Sequence, residues 1–480
     1  MTLHGLLPVF ARDPQLAKAI ELAQTSTREH QVVGPRALTP MLCSLLADAE
    51  YGDRVIVAVT ATTREAEDLS VELRGFLPTD SVVEFPAWET LPHERLSPTH
   101  DTVGRRLQVL RRLAHPDDRW SGSDKIKVVV AGVRALLQPI VTGLGDLEPV
   151  SARAGESPGL ESIVERLVGI GYERTDLVTR RGELAVRGGI VDVFVPTDDF
   201  PLRIEFFGDE VEEVRSFSIT DQRSLDLVER GLWAPPCREV LLTPEVRERA
   251  TALAVEYPEL GDLLSSLAEG IHVEGMESLA PVLCDGMETL LDVLPADALT
   301  LINEPERVRR RAEDLLATSA EFLAAGWQAA ATGGQAPLDV SAASYLSLDE
   351  MRDQASALGL GWWTFAPFGM DDPAAASDDD DALVPNGGAG SGFTGIQGFR
   401  GDINAALNMV GKRVRGGDRV VLVTAGHGPA TRLAEQLADR DIPARLITSL
   451  DQEPSPRVVT VATGPLQLGV DAEFVGLLVL

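Results

Sequence analysis

The stretch QVVGPRALTPMLCSLLADA, Gln31 to Ala49, reads as a short strand, a glycine-initiated turn and an apolar helix. That order is the frame of a phosphate-binding loop, whose pattern is G-x-x-x-x-G-K-[ST]. Gly34 supplies the first glycine, but Thr39, Pro40 and Met41 stand where the second glycine, the lysine and the hydroxyl belong. Each replacement removes a working part. Without the second glycine the backbone cannot wrap a phosphate, proline offers no amide hydrogen, and a thioether does not ligate magnesium. The frame survives without its chemistry, so the loop is expected to bind no nucleotide.

Outward from this stretch the chain reads as an α/β protein. RVIVAVT, SVVEFP and KIKVVVAG are β-branched runs, and they alternate with TREAEDLSVELRGFL, TVGRRLQVLRRLA and VRALLQPI, whose apolar spacing is helical. Buried strands alternating with helices argue for a parallel, doubly wound sheet. Near Leu147 the texture changes. LESIVERLVGIGYERTD reads as one helix, and residues 183–219 are strand-rich, with Gly208-Asp209 placed as a two-residue hairpin turn. The expected organisation is a parallel-sheet α/β domain in two parts, 1–146 and 231–369, interrupted by a small α+β insert at 147–230. A flexible acidic and glycine-rich linker at 370–395 follows, then a second small α/β domain at 396–480. The chain stops within an apolar run, which reads as a segment of something longer.

Composition narrows the function. With 43 basic and 74 acidic residues in 480, the net charge is −31, which repels nucleic-acid backbones. No apolar run is long enough to span a membrane. Cys43, Cys237 and Cys284 are too far apart for CxxC metal spacing, and a reducing cytoplasm fits them. No metal or catalytic constellation emerges. Asp349-Glu350 reads as a helix start, Gly426-His427-Gly428 as a strand-to-helix turn, and GAGSG at 388–392 as linker. The helix carrying Arg105 and Arg106 is expected to present both to solvent.

The insert is more informative. In PLRIEFFG, period-2 alternation places Leu202, Ile204 and Phe206 on the core face and turns Arg203, Glu205 and Phe207 away. In ELAVRGG the core positions are Leu184 and Val186, and Arg187 points outward. Two arginines and an aromatic on one sheet face have the composition of a protein-binding hot spot. They equally suit an internal ion pair and a second small core.

Two blocks carry a family resemblance: FPAWETLPHERLSPTHDTVGRRLQVLRRL (Phe85 to Leu113) and RRGELAVRGGIVDVFVPTDDFPLRIEFFGDEVEEVRSFSITDQRS (Arg180 to Ser224). They resemble the bacterial transcription-repair coupling factors and the repair helicase UvrB, over roughly residues 1–365. Residues 396–480 follow the coupling factors in order and texture only. The resemblance implies a UvrB-like fold whose nucleotide loop has been lost, and an insert that binds the damage sensor UvrA through Arg187, Arg203 and Phe207. It also implies that RNA polymerase and double-stranded DNA are engaged by domains beyond residue 480, where ATP and magnesium would serve a translocase motor. In the family, a later domain masks the UvrA surface until the motor engages. For this chain no cofactor is expected. Two competing readings remain: a nucleotide-dependent DNA-processing enzyme with a divergent loop, and a DNA-binding platform.

Overall fold

The computed structural model describes residues 2–25, 29–91, 94, 96–118, 124–331, 344–367, 392–396 and 403–480. Early apolar runs form strands β1 (His30–Val33), β2 (Ile56–Thr60), β3 (Val82–Phe85) and β4 (Val128–Gly132). Between them lie helices α1 (Thr39–Ala47), α2 (Thr63–Leu73) and α3 (His100–Ala114). The chain then leaves this sheet at Val150–Ala152, which pairs antiparallel with Leu232–Ala234, so the entry and exit of the insert are tied together.

Inside the insert, α4 (Leu160–Gly169) packs on a six-stranded sheet. Its strands are β5 (Glu173–Arg174), β6 (Glu183–Arg187), β7 (Ile190–Val193), β8 (Leu202–Phe207), β9 (Glu210–Phe217) and β10 (Ser224–Leu227). They run in chain order across the sheet, antiparallel except for β5 beside β6. After the insert, β11 (Leu299–Asn303) and β12 (Gly361–Ala366) return to complete the first sheet, in the order β1-β12-β11-β2-β4-β3. Every pairing in that sheet is parallel, as near-continuous apolar strands require.

The last part of the chain builds another six-stranded sheet from β13 (Phe393–Ile396), β14 (Arg419–Thr424), β15 (Ala444–Leu446), β16 (Val459–Thr463), β17 (Gly469–Ala472) and β18 (Leu477–Val479). It is not sealed off from the first domain. One apolar cluster runs from Leu38, Met41 and Val130 through Leu3, Leu6 and Phe10 to Val421, Ala462 and Leu477. The amino-terminal segment acts as the joint: the Gly5 amide donates to Leu450 O at 2.7 Å and the Leu450 amide to Thr2 O at 2.8 Å. A Cβ at Gly5 would lie 2.2 Å from Gln452 O, so only glycine permits this approach.

Three sequence expectations need correction. The helix expected over Leu160–Asp176 ends at Gly169, because Gly171 takes a left-handed φ of +96° and turns the chain into β5. Phe393–Gly395, assigned to the linker, form β13 on the edge of the last sheet against β17. The rest of that linker lies outside the described residues, apart from Gly392. Third, Arg106 is not on a solvated face. It is fully buried, its Nε donating to the equally buried Glu239 at 2.5 Å and its Nη1 to Pro86 O at 2.8 Å. Its guanidinium carbon lies 4.5 Å from the Phe85 ring centre. Arg105 does face water, paired with Asp101. Trp88 is packed as expected, its Nε1 donating to Glu239 at 2.9 Å.

Removing one partner of a buried ion pair strands the other charge, at about 3–5 kcal/mol. Glu239→Ala should therefore lower the unfolding free energy in urea by about that amount. Arg106→Met combined with Glu239→Leu should recover most of the loss.

Candidate functional site

The strand–turn–helix at Gln31–Ala49 forms as expected, and several backbone amides of its turn are committed within the chain. The Gly34 amide is spent on Ala366 O in the sheet, at 3.0 Å. A tight 3₁₀ turn at Arg36–Leu38 spends the Leu38 amide on Pro35 O and the Thr39 amide on Arg36 O. Pro35 and Pro40 have none to give. Thr39 and Pro40 are buried, and Met41 is wholly enclosed in the core. Five of the amide positions from which an anion site at this helix start would draw are thus consumed or absent.

Beside this turn, at the carboxyl ends of β1, β2 and β11, is a crevice of about 170 Å³, lined by Arg36, Thr39, Thr60, Glu65, Glu72 and Glu304 among others. It is smaller than the ~300–1,000 Å³ of ordinary ligand pockets. Its cations are already matched: Arg307 contacts Glu65 at 2.5 Å and Glu304 at 2.6 Å, and Arg36 lies 3.7 Å from Glu65. Asn303 ends β11 with an amide that donates to Val59 O, where a magnesium site would want a carboxylate. An apolar strand running into Asn303-Glu304 was a readable signal that the sequence reading passed over. From the last domain, Gln467 lines the crevice and its backbone N–H donates to Glu72 Oε1 at 2.9 Å. Asp349 and Glu350 lie away from it: Ser347 caps the helix Leu348–Ala357 and Glu350 completes the capping box. His427 opens the helix that follows β14. Most of GAGSG lies outside the described residues. Among the described residues, no three His, Cys, Asp or Glu side chains converge to hold a metal, and no helix is long and apolar enough to cross a membrane.

The insert sheet has two dissimilar faces. Leu184, Val191, Val193, Leu202 and Ile204 pack beneath it with α4. Above it, Val178, Ala185, Phe194 and Phe217 make a second, smaller core. Asp192 shares this upper face and is 1% exposed. It sits in register between Ala185 on β6 and Arg203 on β8. Arg203 Nε donates to Asp192 Oδ1 at 2.7 Å and Nη2 to Oδ2 at 3.0 Å. Arg203 Nη1 reaches Gln222 O and Ser224 Oγ, each at 3.2 Å. The guanidinium carbon lies 4.8 Å from the Phe217 ring centre. Hydrogen bonding to Asp192 raises the Arg203 pKa above its ordinary value.

Arg187 is anchored by one nitrogen, Nη2 to Asp192 Oδ2 at 2.7 Å, and its side chain is 48% exposed. Phe207 is 81% exposed at the end of β8. A bulge between Glu205 and Phe206 in the β8–β9 pairing leaves the alternation of β8 intact, and Gly208 makes the hairpin turn at φ +64°. All three residues expected on the outward face lie on it. Arg203, with a side-chain exposure of only 14%, is turned mostly inward. Neither Asp192 nor Gln222 was singled out from sequence, although an Asp between valines in a strand was the available sign.

Residues 150–235 match the UvrB interaction domain family. The chain is 41% identical over 482 residues to the transcription-repair-coupling factors of Mycobacterium tuberculosis and Mycobacterium bovis, covering 97% of this chain and 38% of each relative. To the coupling factor of Myxococcus xanthus it is 34% identical over 293 residues, 58% of this chain and 23% of the relative. Over nearly all of its length the chain is thus similar to transcription-repair-coupling factors. It spans under two-fifths of the length of these relatives.

Two measurements probe the crevice. A ligand at 100 times its Kd stabilises by about 2.7 kcal/mol; millimolar Mg-ATP should leave the melting temperature unchanged. Burial pushes the Glu72 carboxyl from 4.5 up to about 7, with Asp68 adding to the rise and the Gln467 amide and Arg36 opposing it. Between those values the folded state binds the proton that the unfolded state has lost, so stability contributed at low pH falls as pH rises. Glu72→Gln keeps an acceptor for Gln467 and should flatten that decline, leaving the variant more heat-stable than the parent at pH 8.

Proposed function

We propose that this chain is the non-catalytic recruitment module of a transcription-repair-coupling factor, whose insert captures UvrA so that nucleotide excision repair begins at stalled RNA polymerase. The observation that carries this reading is the insert's upper face. A nearly bare Phe207 and a half-exposed, anchored Arg187 share one sheet surface, in a domain matching the UvrB interaction family. An exposed aromatic beside a preset guanidinium is the composition of an interface anchor, and the guanidinium suits a partner carboxylate. Contacts to RNA polymerase and DNA, and the ATP-driven translocase, belong in this reading to the remaining length of such proteins. The carboxylate-lined crevice speaks against the competing enzyme reading, since it would repel a polyphosphate.

The test is calorimetric titration of the chain with purified UvrA. Arg187→Ala and Phe207→Ala should each weaken binding by tenfold or more, with unchanged circular dichroism. UvrA affinity equal to the parent's in the Arg187→Ala, Phe207→Ala double variant would overturn the reading.

A further inference from the structure

Asp192 is a charged residue with almost no exposure, on a strand whose other members are valine and isoleucine. A buried carboxylate is costly unless it is paired and hydrogen-bonded. Asp192 meets that condition with two arginines at once, one from the strand on either side: Arg187 from β6 and Arg203 from β8. The two arginines are not equivalent. Arg203 commits Nε, Nη1 and Nη2 to its own chain, and two of its acceptors, Gln222 O in the turn between β9 and β10 and Ser224 Oγ at the start of β10, hold that turn. Gln222 holds a left-handed φ of +59°, uncommon for a residue with a side chain, and its Oε1 accepts from Arg187 Nη2 at 3.5 Å. The arrangement is a closed bracket. Asp192 holds Arg203, Arg203 holds the turn, the turn and Asp192 hold one nitrogen of Arg187, and the rest of the Arg187 fork faces solvent.

We propose that Asp192 is the positioning residue of the UvrA-binding face, fixing Arg187 as the contacting guanidinium while Arg203 acts through the bracket rather than by touching the partner. This rests on the recruitment reading above. Its physical basis is preorganisation. An arginine frozen only on binding loses its rotamer freedom at that step, and the bracket removes that cost beforehand. It also leaves the two arginines and one aspartate with a net single positive charge, presented at Arg187.

Three arms on the full 480-residue chain test this. The first labels arginines with phenylglyoxal and reads them by mass spectrometry. Arg203 should be protected in the parent and become as reactive in Asp192→Asn as the open Arg223. Equal Arg203 labelling in both proteins would overturn the bracket. The second is a double-mutant cycle with UvrA. Asp192→Asn should weaken binding about tenfold, yet less than twofold in an Arg187→Gln background, because its effect passes through Arg187. Losses that multiply, as a general loosening of the insert would give, overturn the proposal. The third arm is Arg203→Lys, which keeps a cation against Asp192 and covers the case in which Asp192→Asn does not fold. A loss of about threefold is expected. A loss as large as that of Arg187→Ala would make Arg203 a contact and overturn its assigned role. Absence of UvrA binding by the parent overturns the recruitment reading instead, and the labelling contrast still decides the bracket.

Discussion

The ion pair between Arg106 and Glu239 ties together the two parts of the frame that flank the insert. Arg106 belongs to α3, packed on the first sheet, and Glu239 follows the strand by which the chain leaves the insert. The pair therefore bridges the two segments that the insert separates. Phe85, Pro86 and Trp88 enclose it at the end of β3, through a ring face, a carbonyl and an indole N–H. It lies near the root of the insert, where Leu232–Ala234 pairs with Val150–Ala152. Ion pairs of this kind contribute little net stability compared with a well-packed apolar pair, but they tolerate few alternative geometries. Their value at such a junction is in specifying one arrangement.

A second polar device of similar chemistry lies at the far end of the same insert. Asp192 and Arg203 are also a carboxylate and a guanidinium near an aromatic ring, here Phe217. The first arrangement orients the domain, and the second orients what the domain displays. Between them the sheet is ordinary, with alternating apolar residues on one side and a small core on the other. The recruitment reading needs both levels. An exposed aromatic anchor gains affinity only if the surface beneath it is rigid, and the rigidity comes from side chains that the partner never touches.

Much of this was legible in the sequence because the relevant signals are local. Period-2 alternation in PLRIEFF assigned each residue of β8 to its correct face, and Gly208-Asp209 made the predicted turn. The defects of the loop at Gly34–Met41 could be read residue by residue. The failures involve partners distant in sequence. The acceptor of Arg106 lies 133 residues away, across the whole insert. Yet Val103, Arg106, Leu107 and Leu110 share one helical stripe, a spacing that the expectation of a solvated Arg106 overlooked. Arg203 was assigned to the correct face, but strand phase cannot distinguish a side chain that reaches solvent from one folded down onto Asp192. The joining of the last domain to the first through Leu3, Leu6 and Phe10 left no periodic trace, because a shared core is a property of two surfaces and not of either sequence segment.

The crevice beside Arg36 has a consequence for reversibility. A lost catalytic residue can in principle be regained by one substitution. Here, a lysine at position 40 would extend from a buried helix start and would still lack the amides that Gly34, Leu38 and Thr39 have committed elsewhere. Any ammonium reaching the crevice would meet Glu65 and Glu304, which already draw Arg36 and Arg307. Regaining a phosphate site would require freeing the turn, clearing carboxylates and withdrawing Gln467 from Glu72 together, with no single step giving function. The committed amides of the turn and the paired carboxylates of the crevice leave no single substitution that would build a phosphate site here.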